Sequence, residues 1–558
     1  MNPWSLRCES SKAGRTYTRP LGITEQVFYW DGKFNGTADS VHHAAIEANN
    51  QKNGGIFTFE NIGRAWIRLK HRFPLLGANL ERQCNDRQQI IFVINNINLG
   101  QINPGELELF HISSDQEVEG FKDQLVNGRR CLSNRLLARL FILVRDAQHH
   151  HILFYASHCI TDGMSNLLLI RSLLEELTSP SDQNILRLEE RLALTIASED
   201  LMPGTKRSQS RQRWHRAMGH VIWLLRMGKL VGGHTLPRTY SALTKFTPAT
   251  SGVIGYSFTE VESAIIVETC KKLGFTFGNA LPVLGQVSLA RLLCRWYTQG
   301  KISVDEWEFR KKEPMPTAGP LNLRPFLDRG WHDSGGANNI CLNIGFFFYR
   351  LPFMPLGAAS RISPGDRVPS YSELLSPGRF SLRSKSLRKQ ATQYIYHPLF
   401  SEIGSARMPK RLKSGREIAL TWAEECSRCH NVAPIPVSEQ SGGGFVMSHG
   451  GSSLGNVSEI SLIINSTQLT GNVIQQIDNL VPQMYNGPRA KIKVKTLRTV
   501  LNCRPAELYL GSSTFDKQLN MSVYWDKNVY DEATVVEWLA DIVEATQHYL
   551  GGDKDAKL

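Results

Sequence analysis

Apolar positions along the chain fall into two periods. Between Leu136 and Leu177 both occur in succession. Leu136 to Val144 and Ile152 to Ala156 are short apolar runs of strand length, joined by the polar stretch Asp146 to His150, and they predict an antiparallel hairpin. Beyond the second run, Leu167, Ile170, Leu174 and Leu177 recur at helical spacing. Elsewhere the period predicts helices over Phe57–Phe73, Thr259–Leu273 and Glu532–Leu550, and one over Thr276–Tyr297 that Pro282 interrupts. Strands are predicted at Ile90–Ile94, Gly252–Phe258 and Leu519–Trp525, an apolar run lies at Ile340–Leu351, and Val27-Phe28-Tyr29-Trp30 reads as a strand entry. Residues 182 to 250 read as a connector holding a basic amphipathic helix, Arg211–Leu230, either a crossover helix with a solvated basic face or one that touches a membrane surface, and 356 to 392, rich in Ser, Pro and Arg, as a surface excursion. Two halves follow, 17–240 and 241–558, with no internal repeat.

Composition narrows the class. In 558 residues, 41% hydrophobic and 21% charged content is that of an ordinary globular protein. No apolar run approaches the ~18 residues of a membrane span, and the first fifteen residues lack a signal-peptide core. The expected compartment is therefore the cytosol, with the ten cysteines reduced. The net charge of +13 implies an anionic partner, whether nucleic acid, a membrane surface or a phosphorylated cofactor; the basic residues are dispersed rather than striped, which argues against a dedicated nucleic-acid surface, and charge alone does not choose among the rest. Lys410, Arg411 and Lys413 form a basic cluster that reads either as a phosphate site or as a solvated charge run. Cys426-Ser427-Arg428-Cys429-His430 matches a haem-attachment motif without the export signal or second pair that would support a cofactor, and no metal site is expected.

The candidate chemistry sits where the period changes. Ser157-His158-Cys159-Ile160-Thr161-Asp162-Gly163 places an H-x-x-x-D-G pattern on the corner between strand and helix, where polar side chains project from a rigid frame. Gly163 is expected to take backbone angles that a Cβ would forbid, and Asp162 is placed to cap the helix. The spacing alone arises by chance in roughly one such chain in fifteen, so its flanking strand and helix are what give it weight. A histidine, with an ordinary pKa near ~6.5, suits general-base work at neutral pH.

Four landmarks stand in order: Arg19-Pro20-Leu21-Gly22 with Glu25, the H-x-x-x-D-G corner, Asn322-Leu323-Arg324-Pro325, and Ser452-Ser453-Leu454-Gly455. That order resembles the CoA-dependent H-x-x-x-D acyltransferase superfamily, which includes chloramphenicol acetyltransferase, condensation domains and alcohol acyltransferases. With the opening R-T-Y-x-R-P-L-G and no plant D-F-G-W-G signature, the chain looks most like the fungal trichothecene 15-O-acetyltransferases, over about Tyr17 to Leu550. The resemblance implies an α/β fold of two chloramphenicol-acetyltransferase-like lobes, with mixed sheets, flanking helices and an active-site tunnel between them. It also implies a monomer that takes no permanent cofactor and moves an acetyl group from acetyl-CoA, as co-substrate, to a hydroxyl of a hydrophobic sesquiterpenoid alcohol. His158 would be the base, Asp162 a structural brace paired with Arg324, Gly163 part of the same corner, and Ser452 and Ser453 donors near the CoA or oxyanion.

Two other classes stay open. Gly451-Ser452-Ser453-Leu454-Gly455 also reads as the nucleophile elbow of a serine hydrolase, although His548 is the only later histidine. The same fold could also serve as a non-catalytic binding scaffold. Cys159, next to the base, is expected to pack in the core.

Overall fold

The computed structural model describes residues 3–10, 14–49, 55–83, 89–179, 187–354, 356–426, 445–457, 481, 483–487 and 491–552. Two six-stranded mixed sheets organise it. The first has the order Met484–Asn486, Lys491–Leu501, Ser40–Asn49, His149–Ala156, Ala138–Val144, Leu107–His111, and its last pair is parallel. The second has the order Ile344–Leu351, Met315–Asn322, His449–Asn456, Leu508–Phe515, Gln518–Asp526, Ser251–Ser257, with parallel pairing on both sides of His449–Asn456. A separate four-stranded sheet carries the N-terminal strands Ser5–Ser10 and Gly14–Pro20. This is a two-lobed α/β fold, each lobe having mixed sheets and flanking helices.

The chain does not divide cleanly at residue 240. Strands Met484–Asn486 and Lys491–Leu501, from the second half, complete the first sheet, and Val500 pairs with Val41. Helix Met408–Cys426, also from the second half, packs on Ile23–Lys33 of the first. These exchanges tie the lobes together along the seam where the site lies.

Several segments differ from the sequence expectation, each for a visible reason. Val27 to Trp30 lies inside the helix Ile23–Lys33, not in a strand. Its four apolar residues are buried on every face because the helix sits in the seam, so no polar position marks the helical period. The Glu25 side chain starts this helix by accepting from the Gly22 N–H at 2.7 Å. It also takes both ends of the Arg19 guanidinium at 2.8 Å, so the first landmark is a buried ionic clasp. The helix Phe277–Thr298 runs unbroken through Pro282. Among the described residues it alone is long and apolar enough to cross a membrane, and 89% of its apolar window is buried in the second lobe.

The end of 356 to 392 falls in a helix, Pro377–Ile395, that buries Phe380, Ser384, Leu387 and Ala391 at helical spacing. The connector helix, Gln209–Met227, packs Ile222 and Trp223 beside Tyr394 and Ile403, while Trp214, Leu224 and Leu225 remain exposed. The hairpin Ala138–Val144 to His149–Ala156 forms with Val144 opposite His150. His150 then stacks on Phe57, and His151 bonds His43 at 3.0 Å. Cys429, His430, Gly442–Gly444 and the tail from Asp553 lie outside the described residues.

Candidate active site

A cavity of about 770 Å³ runs through the seam, lined from the first half by Phe28, His42, His158 and Leu167 and from the second by Phe346, Arg407, Ser453 and Arg504. It falls within the ~300–1,000 Å³ of ordinary small-molecule sites.

His158 stands on the turn between strand His149–Ala156 and helix Gly163–Thr178. Its ring stacks on Phe28, with centroids 4.1 Å apart. Nδ1 lies 2.7 Å from the Thr161 carbonyl oxygen. A carbonyl can only accept, so Nδ1 carries the hydrogen and Nε2 keeps its lone pair. The backbone behind the ring is held by Asp39, which accepts from the His158 N–H at 3.3 Å and from Arg130 Nε at 2.7 Å. Burial lowers the His158 pKa and the nearby Arg504 charge lowers it further, while Asp162 opposes both; the net shift is downward. The ring is therefore neutral at neutral pH, with Nε2 as the basic atom in a residue that lines the cavity.

Asp162 faces the other way in function. Its side chain caps the helix by accepting from the Ser165 N–H at 2.9 Å. Arg324 grips the same carboxylate in a fork, 2.9 Å to Oδ2 and 3.1 Å to Oδ1, and the Asn343 N–H adds 2.9 Å to Oδ2. Both side chains are buried, at 3% and 7% exposure. Arg324 is itself held by Ser165 Oγ at 2.8 Å and by the Cys341 carbonyl at 3.2 Å. Burial pushes the Asp162 carboxyl up, but Arg324 and the backbone donors outweigh it and the net pKa is lowered. With every lone pair directed at a donor, Asp162 has none left for a substrate.

Gly163 does not adopt the backbone expected for it. It is the first residue of the helix, has no positive φ, and a Cβ there would meet nothing within 4 Å. Its place in the cavity lining, where a side chain would fill open space, is the feature it contributes. Cys159 is fully buried beside Ser157 Oγ at 3.3 Å, and burial pushes its thiol to about 12, which removes it as a nucleophile.

Ser452 and Ser453 lie in the middle of strand His449–Asn456, paired with Gly511 and Ser512 of the parallel neighbour. Ser452 Oγ accepts from the Tyr509 hydroxyl at 2.6 Å. A nucleophile elbow is a sharp turn from strand into helix, and Ser453 is not on one; no histidine bonds it among the described residues. Both serines line the cavity.

Several residues at the site had no local sequence signal. His42 also lines the cavity, but both its nitrogens are engaged, Nε2 by Asn166 Nδ2 at 2.7 Å and Nδ1 with Thr499 Oγ1 at 3.1 Å. Burial drives its pKa down to about 3. Asp31 accepts from Arg411 at 2.7 Å and Arg504 at 2.9 Å, which takes Arg411 out of the exposed basic cluster and leaves Lys410 and Lys413 in solvent. Arg504 lies over the Phe28 ring at 5.7 Å. Arg407 lies over Phe346 at 4.3 Å and Phe348 at 5.5 Å. These residues come from distant parts of the chain, and only the fold brings them to His158.

No protein-family model matches the sequence, and no curated protein matches it. Solved structures do match in fold. Trichothecene 15-O-acetyltransferase from Fusarium sporotrichioides superposes with a TM-score of 0.65 over 98% of both chains, at 14% identity. The condensation domain of the Monacolin K polyketide synthase MokA gives 0.55 over 96% of this chain and 98% of that one, at 10% identity. The first condensation domain of the calcium-dependent antibiotic synthetase gives 0.56 over 95% and 97%, also at 10%. The fold is thus that of the condensation-domain and chloramphenicol-acetyltransferase-like structures, across nearly the whole chain.

Proposed function

We propose that the chain is an O-acyltransferase that moves an acetyl group from acetyl-CoA to a hydroxyl of a hydrophobic polycyclic substrate, a sesquiterpenoid being the acceptor class that the likeness to trichothecene 15-O-acetyltransferase suggests. One observation carries the reading: a neutral histidine, its Nδ1 hydrogen fixed on the Thr161 carbonyl, stands with its basic Nε2 free in a residue lining a cavity between two lobes. The fold and the aromatic lining at Phe28, Phe346 and Phe348 support it.

In this mechanism His158 Nε2 takes the hydroxyl proton as the oxygen attacks the thioester carbonyl. The new C–O bond forms as the carbonyl electrons move onto oxygen. When they return, the C–S bond breaks, and the CoA thiolate leaves with the proton now on Nε2. Ester and free CoA are the products, and the histidine is regenerated without a covalent acyl-enzyme. Asp162 and Arg324 hold the corner rigid. The test is acceptor-dependent CoA release from acetyl-CoA over a panel of terpenoid alcohols. Release abolished in His158→Ala supports the reading. CoA-independent ester hydrolysis lost in Ser453→Ala would replace it with the hydrolase.

A further inference from the structure

The cations that line the cavity are nearly all accounted for. Arg324 meets Asp162, Lys122 meets Glu119, Lys495 meets Glu47, and Arg411 and Arg504 share Asp31. Arg498 is exposed to solvent. Arg407 is different. It lines the cavity, its Nε is buried without a hydrogen-bond partner, and among the described residues no carboxylate lies within ion-pair distance. What packs against it is the faces of Phe346 and Phe348.

Burial, with Arg411 and Arg504 nearby, lowers its pKa to about 10, so it is still charged at neutral pH. A half-buried charge in a cavity wall, with no counter-charge beside it, is costly, and an anion on a ligand would offset that cost. The guanidinium fork suits a planar oxyanion, to which it can donate two parallel hydrogen bonds.

Its position says which molecule brings that anion. Arg407 lies on Phe346, Phe346 stacks towards Phe28 at 6.4 Å, and Phe28 stacks on His158. The cation is thus two rings away from the base. With a thioester carbonyl at His158, the long pantetheine arm would hold the phosphates of CoA well away from this point. A group on the acceptor, by contrast, would sit here while its hydroxyl reached Nε2.

Resting on the acyl-transfer reading, we propose that Arg407 is a specificity residue that binds a carboxylate on the acceptor, so that the preferred substrate is a hydrophobic hydroxy acid rather than a neutral alcohol.

The test uses the full chain and measures binding by calorimetry without acyl-CoA. The probes are gibberellic acid and cholic acid, each against its methyl ester. Binding of the acid about 10- to 100-fold tighter than the ester is expected, the scale of a charged hydrogen-bonded pair. Arg407→Gln should erase that preference and Arg407→Lys should keep part of it. CoA affinity should not change in Arg407→Gln, and its unfolding midpoint should stay level or rise. The proposal is overturned if neither acid outbinds its ester or if the preference survives Arg407→Gln. It is also overturned if CoA binding is what Arg407→Gln loses, which would give the residue to the donor's phosphates. An acid preference without any acyl transfer would remove the transfer reading and leave this site standing. Transfer to neutral alcohols without an acid preference would do the reverse.

Discussion

Two arginine–carboxylate clusters flank His158 and are built on opposite principles. At Asp162 and Arg324 one carboxylate meets one guanidinium in a fork, and backbone donors fill the remaining lone pairs. At Asp31 a single carboxylate is shared by Arg411 and Arg504, Glu507 stands 3.7 Å from Arg504, and Arg407 is left over. The first cluster is closed and holds the corner that carries the base. The second has more positive charge than its acids neutralise, and it opens on the cavity. A closed network contributes rigidity, whereas an open one is suited to bind something.

The contrast breaks first, and with the largest effect, at Asp162. Asp162→Ala would leave Arg324 buried without a counter-charge and remove a helix cap, a loss of about 3–5 kcal/mol. Asp31→Ala should cost clearly less, because Arg411 is 36% exposed and water can solvate it. Calorimetric unfolding of both variants compares them directly, and equal losses would mean the two clusters are not different in kind.

A smaller effect is set by pH. The folded pKa of Asp162 lies below its unfolded value, so its contribution is complete above the ordinary carboxylate range near ~4 and is lost as pH falls through the folded value. His42 adds to this with the same sign over a higher window. It is held neutral down to about 3, while the unfolded chain takes the proton near ~6.5. Stability should therefore fall between those values by about 1.4 kcal/mol per pH unit for this one proton, and His42→Gln should flatten the slope by that amount. Urea unfolding at pH 4 to 7 would read it, and an unchanged slope would deny His42 its buried neutral state. The smallest expected change is at Arg407, where Gln should leave the unfolding midpoint level or higher.

What was legible in the sequence was local. The hairpin, the corner and the helix after it could be read because strand period, turn residues and helical period follow one another within a few dozen residues. The helix Ile23–Lys33 could not, because four apolar residues in succession, Val27 to Trp30, are all buried in the seam and hide the helical period. Pro377–Ile395 was hidden by its own Ser and Arg content, although Phe380, Ser384, Leu387 and Ala391 carry the helical spacing. Arg407, Arg504 and Asp31 had no signal to find. Each is an ordinary charged residue in its own neighbourhood, and its meaning comes from contacts with distant segments, Asp31 with Arg411 and Arg504, and Arg407 with Phe346 and Phe348. The same is true of the division into halves, since nothing in Lys491–Leu501 announces that this strand pairs with Ser40–Asn49.

The proposed transfer depends on Nε2 of His158 as the base. Its most direct test is kcat/KM for acceptor-dependent CoA release, measured against pH in the native chain and at neutral pH in His158→Ala. The lowered pKa predicts an acid limb with its midpoint below ~6.5, and His158→Ala should lower the rate by about 10²–10⁴-fold with an unfolding transition still in place. A folded His158→Ala that turns over at the native rate would contradict it.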